Sequence, residues 1–122
     1  MREVRNNDWD AFCGRLNEFE RGATMTIEFL DRDGRMTEIA RRVPFEEINF
    51  DKSDGCNDRI SIRGRDNQGT THEIVEPIHI RLRETEGGAG FNAVAIEAGE
   101  GTTFLVFHPV IRAQWLDGLA LG

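Results

Sequence analysis

The pattern of apolar and polar residues is organised around two strand-like runs near the end of the chain, residues 92–98 and 103–108 of the stretch FNAVAIEAGEGTTFLVFH. A Gly-Glu-Gly turn signal separates the two runs, and two such runs flanking a turn encode a β-hairpin. With Glu100 and Gly101 as the loop residues, Ala98 faces Thr103, Ile96 faces Leu105 and Val94 faces Phe107. The other side of that ribbon pairs Glu97 with Phe104, Ala95 with Val106 and Ala93 with His108. The second run is apolar on both faces, which fits a central strand covered on both sides.

Earlier residues change period. Trp9, Phe12, Leu16 and Phe19 recur at spacings of three and four, so residues 7–21 are expected to form an amphipathic helix. Asn6 or Asn7 is positioned to cap it, Asp8 and Asp10 suit its positive end, and Gly22 stops it. From residue 23 to 30 the chain alternates strictly, with Met25, Ile27 and Phe29 on one side. A turn at 31–34 leads to a weaker strand over 35–43, where Arg41 breaks the phase of Thr37, Ile39 and Val43; a bulge or an edge position would account for it. Pro44 is expected to interrupt the ladder, leaving Phe45, Ile48 and Phe50 as a short irregular segment.

Three further strands come next, at 59–65, 70–76 and 78–84, with Ile60, Ile62, Ile78, Ile80 and Leu82 inward. Pro77 separates the last two, and residues 85–90 link into the hairpin. Pro109 can open a helix, and Val110, Ile111, Trp115, Leu116 and Leu119 would give that helix an apolar face. The fold class is therefore α+β. An N-terminal amphipathic helix precedes about seven mostly antiparallel strands, in a roll or partly open barrel, and a short C-terminal helix. No repeat or composition shift divides the chain, so residues 1–122 read as a single domain.

Composition adds limits. The 122 residues include 8 Phe and 2 Trp, enough for a real core, and carry a net charge of −7. An acidic chain repels phosphate, which argues against nucleic acid. No run approaches the ~18 apolar residues that cross a bilayer. The opening MREVRNNDWD has no apolar stretch of the secretory kind, so the cytoplasm is the expected location. Cys13 and Cys56 lie far apart, and an intracellular setting disfavours a disulfide between them.

Candidate chemistry is sparse. Residues 51–58, DKSDGCND, have the carboxylates of a calcium loop but not the spacing, since taking Gly55 as its sixth position puts Phe50 first and Ser61 twelfth. The run His72-Glu-Ile-Val-Glu76 echoes a zinc-protease helix, yet Pro77 intervenes and His79 falls seven residues from His72. A metal held by His72, His79 and His108 would need three strands to converge. Neither nucleophile-elbow nor phosphate-loop spacing occurs, and there is no tyrosine. No metal and no cofactor is therefore expected.

The pattern that stands out is cationic. Outward positions supply Arg59, Arg63 and Arg65 from one strand and His79, Arg81 and Arg83 from another. If those strands are close, Arg63, His79, Arg81 and Arg83 would grip a small anionic ligand through carboxylate or phosphate. Otherwise the arginines are neutralised by Glu28, Glu38 or Glu73 across the sheet.

Several short motifs stand in order along the chain. They are a Trp-x-x-Phe helix (Trp9, Phe12), a Gly-x-x-(apolar)-x-(apolar)-Glu strand (Gly22 to Glu28) and a proline-led apolar segment (Pro44 to Ile48). A His-x-Ile-x-x-Pro strand (His72 to Pro77) and a Gly-Thr-Thr-x-(apolar)-x-Phe hairpin (Gly101 to Phe107) complete the set. In this the chain resembles a bacterial family of small uncharacterised domains, over about residues 9–107. The resemblance implies a single α+β domain and carries no activity or catalytic residues; the segment after His108 reads as an addition.

The expectation from sequence is a non-catalytic cytoplasmic domain that binds an unknown protein or itself. A homodimer would use a sheet edge or the apolar positions Ile111, Trp115, Leu116 and Leu119. The alternative is a small-anion-binding domain or an enzyme built on the Arg/His face.

Overall fold

Strand β3 (Met36–Asp51) shapes the molecule, because it belongs to two parts of the sheet. The computed structural model describes residues 2–52, 58–119 and 121–122. Up to Pro44, β3 pairs with β2 (Thr24–Asp31); from Phe45 it pairs with β4 (Arg59–Gly64). Pro44 sits where the strand changes partner. Main-chain bonds run through this point, since Arg65 N–H donates to the Pro44 carbonyl at 2.8 Å and Phe45 N–H to the Ala23 carbonyl at 2.7 Å, so proline does not end the strand as the sequence suggests. The phase break at Arg41 is a bulge: the register with β2 shifts between Ala40 and Val43, and Arg42 adopts a φ of 48°.

The remaining strands are β1 (Arg2–Val4), β5 (Thr71–Val75), β6 (His79–Glu84), β7 (Gly90–Ala98) and β8 (Gly101–Arg112). All pairings are antiparallel, in the order β1-β6-β7-β8-β2-β3-β4-β5, and the sheet is open. Its far end nevertheless curls over. His72 on β5 meets Thr103 on β8, although β2, β3 and β4 lie between them in the sheet. Phe45 and Phe107 meet edge-to-face across the concavity at 5.3 Å.

Helix α1 (Trp9–Phe19) fills that concavity and rests mainly on β3. Its apolar stripe buries Trp9, Phe12, Cys13 and Leu16 in one core cluster with Ile27, Ile48, Ile60, Leu105 and Phe107. A 3-10 turn at Asn6–Asp8 precedes the helix, so its N-cap is Asp8 and not either asparagine. The Trp9 Nε1–H donates to the Val4 carbonyl at 3.0 Å, tying helix to strand β1. Burial pushes the Cys13 thiol up to about 12, so it is a packing group and not a nucleophile.

The hairpin of β7 and β8 forms with a different turn. Gly99 and Glu100 are its loop residues, so Ala98 pairs with Gly101, Ile96 with Thr103 and Val94 with Leu105. The difference is an even number of residues, which leaves every side chain on its expected face. It is β7, not β8, that is buried on both sides: Ala93 and Ala95 are shielded beneath Arg81, Arg83, Phe104 and Val106 beside them.

Pro109 does not open a helix. It lies within β8, where the register jumps from Ala93–Val106 to Phe91–Ile111 and the ladder to β2 has ended at His108. The C-terminal helix shrinks to a 3-10 turn at Ala113–Leu116. Ile78 is likewise not an inward strand residue; it precedes β6 and is exposed.

Candidate functional site

Curling β5 over the end of the β7–β8 hairpin leaves a cleft of about 390 Å³. His72, Glu73, Ile74, Val75 and Glu76 form one wall, and Ala98 to Gly101 form the other. Phe29 and Ile39 supply apolar surface between them. A cleft lying on one face of a strand would touch alternate residues. This one touches consecutive residues of β5, so it runs along the strand's edge.

One polar pair sits in this cleft. His72 Nε2 and Thr103 Oγ1 are 3.0 Å apart, and Thr103 is buried. Burial lowers the His72 pKa, so the ring is neutral at pH 7 and its hydrogen bond is not charge-assisted. At the rim Glu76 and Glu100 are exposed, while Glu73 accepts a hydrogen bond from Arg59 Nη1 at 3.0 Å. Ile39 and Val75 are exposed apolar side chains at this same place. Ile39 is exposed because it is the unpaired residue of a second bulge, between Glu38 and Ala40.

The cationic residues are distributed differently from their expected cluster. His79, Arg81 and Arg83 share β6, but Arg63 lies on β4, with β7, β8, β2 and β3 between. Each is engaged. Arg63 contacts Glu46 at 3.0 Å and Glu47 at 3.2 Å, holding the Glu46 carboxyl below its usual range. His79 Nδ1 is 2.9 Å from Glu3, Arg81 reaches Glu97 at 2.8 Å, and Arg83 donates to Asn92 at 2.9 Å. The three histidines lie on β5, β6 and β8, and the described residues contain no cluster of three or more metal-ligating side chains. Residues 53–57, which include Cys56 and most of the calcium-like loop, lie outside the described residues.

The apolar C-terminal residues are used within the chain. Ile111 and Leu116 are buried, Leu119 packs against the core, and Trp115 stacks on Phe19 at 5.3 Å. Arg15 Nη1 donates to the carbonyls of Trp115 and Asp117, at 3.0 and 2.9 Å.

Sequence reading nominates none of the cleft residues as a site. The available signal is Val75, an apolar residue on the outward phase of its strand, beside the similarly misplaced Ile39. Among the described residues no helix is long and apolar enough to cross a membrane. The model of one family, described as "Family of unknown function (DUF5335)", matches residues 1–113. It therefore takes in β1 and the end of β8, so the stretch from 109 to 113 is part of the family's domain and not an addition. No curated protein and no solved structure matches the chain.

Proposed function

Since the chain belongs to that family of unknown function, which assigns it no chemistry, we propose from its geometry a non-catalytic binding module. Its site is the cleft beside β5, and its ligand is elongated and largely apolar. The observation that carries this is the company of exposed Ile39 and Val75 with Phe29 along one concave edge. Exposed apolar side chains gathered in a concavity mark binding surfaces. Binding is favoured over catalysis because the hydroxyl that His72 engages belongs to Thr103, which is 2% exposed and so poorly placed to attack a ligand. An anion held by Arg63, His79, Arg81 and Arg83 has less support, since carboxylates or an amide already occupy those groups.

The uncharged dye Nile red tests the site. Val75 is half exposed, so Val75→Asp should fold normally, yet it is expected to weaken dye binding about tenfold by charging the apolar wall. Val110→Asp, at an exposed apolar residue remote from the cleft lining, should leave binding unchanged. Equal losses in both variants, or none at Val75, would remove the cleft from consideration.

A further inference from the structure

The cleft has a wall of open main chain. In the β4–β5 ladder, Gly64 N–H donates to the Thr70 carbonyl and Glu76 N–H to the Asp58 carbonyl. Antiparallel hydrogen-bonded pairs recur every second residue, so His72 and Ile74 also turn their main-chain groups to β4. The N–H and C=O groups of Thr71, Glu73 and Val75 consequently point away from β4, along the cleft. Among the described residues no strand lies beyond β5 and no hydrogen bond takes these groups up.

The other sheet edges are blunted. Strand β1 is covered by the end of the chain: Leu121 bridges Val4, and Gly122 and Glu3 exchange main-chain hydrogen bonds of 2.8 and 3.1 Å. The edge of β3 that β4 does not cover is broken by its two bulges. Bulges and covering segments are how folded proteins protect an edge from pairing. Among the described residues β5 has neither device: its register with β4 is unshifted throughout and it contains no proline. At 3.3 Å per residue the open edge is roughly 16 Å long.

We propose that β5 accepts an extended segment of a basic partner protein as an additional antiparallel or parallel strand. This deepens the reading of the cleft as a binding site and rests on it. Main-chain pairing to Thr71, Glu73 and Val75 supplies affinity, and alternate apolar side chains of the segment fill the space beside Phe29 and Ile39. The charge of the partner is set by the rim. Glu76 and Glu100 have no ion-pair partner among the described residues, and the whole chain carries −7. A second copy would bring the same acidic edge against itself, so lysine or arginine on a different chain fits better.

The test uses the full chain and a library of acetylated heptapeptides. Val, Ile, Thr or Phe occupy alternate positions, with Lys or Arg between them, and binding is read by amide NMR. The expected result is a peptide that shifts and protects the amides of Thr71, Glu73 and Val75. N-methylation of its pairing amides should weaken it about tenfold or more, since only the ladder is lost. Glu73→Pro removes an outward N–H without touching the β4 ladder and should cost about as much, while Glu73→Thr keeps peptide binding.

If the methylated peptide binds as well as its parent, strand addition is wrong. The same holds if no peptide binds while Nile red still does, and in both cases the cleft reading survives. If Nile red also fails to bind there, both readings fall. Protection of these amides that rises with protein concentration, without peptide, would assign the edge to a second copy and overturn the basic partner.

Discussion

Gly101→Ala should destabilise the protein by about 3–5 kcal/mol, through overlap that the main chain of β2 cannot relieve cheaply. A Cβ at Gly101 would stand 2.3 Å from the Leu30 carbonyl oxygen, 2.8 Å from the Phe29 ring and 3.1 Å from the Asp31 Cα. Two of those contacts are main chain of β2, to which Gly101 is paired, and φ at this residue is 152°. Relief requires the start of β8 to move off β2, which also displaces Phe29 in the cleft. Gly99 in the same turn has nothing within 4 Å of a built Cβ, so Gly99→Ala should change stability by less than about 1 kcal/mol. Urea denaturation of both variants checks the contrast; similar midpoints would contradict the close approach.

The second large effect is a gain. Glu20 comes directly after α1, is 1% exposed, and neither carboxylate oxygen has a hydrogen-bond partner among the described residues. Burial raises its pKa from 4.5 to about 7. The folded state thus resists ionising a group that ionises freely when unfolded. Below pH 4.5 the carboxyl is neutral in both states and no penalty applies. As pH rises from there through 7 the unfolded chain loses its proton first, so stability falls, and above 7 the loss is complete. Its size is on the order of 3 kcal/mol.

Glu20→Met, which keeps the length and removes the charge, is therefore expected to stabilise the protein by about 4 kcal/mol at pH 8, where the ionisation penalty adds to the cost of burying an unbonded polar group. At pH 4 the gain should shrink to about 1 kcal/mol, the cost of a buried unbonded polar group. Equal gains at both pH values would show that ionisation of Glu20 is not what limits stability.

Glu20 also marks how far the sequence is legible. Four residues after Leu16, it falls on the helix's buried stripe, so its position can be seen, but its lack of a partner depends on the rest of the fold. Alternation places Met25, Ile27, Ile60, Ile62, Ile80 and Leu82 in the core because a strand's period is local chemistry. The hairpin turn is displaced, yet its faces survive because the displacement is even. Strand β1 is invisible in the sequence: three residues, REV, carry no period.

The features that the sequence hides depend on distant partners. Pro109 reads as a helix start because the gap in its ladder is set by β2 and β7. Arg63 and Arg81 do point outward as alternation requires, but strand order, which separates them, is not written in either strand. The cleft arises only when β5 curls over β8, so Val75 and Ile39 look like isolated exceptions until that curl brings them together.

Hydrogen exchange along β5 tests the account at its centre. An open edge predicts alternation: the amides of His72, Ile74 and Glu76, bonded to β4, should exchange about a hundredfold more slowly than those of Thr71, Glu73 and Val75. Uniform protection from 71 to 76 in the dilute protein would mean that the edge is already paired. In that case β5 would not be the site at which a partner strand is received.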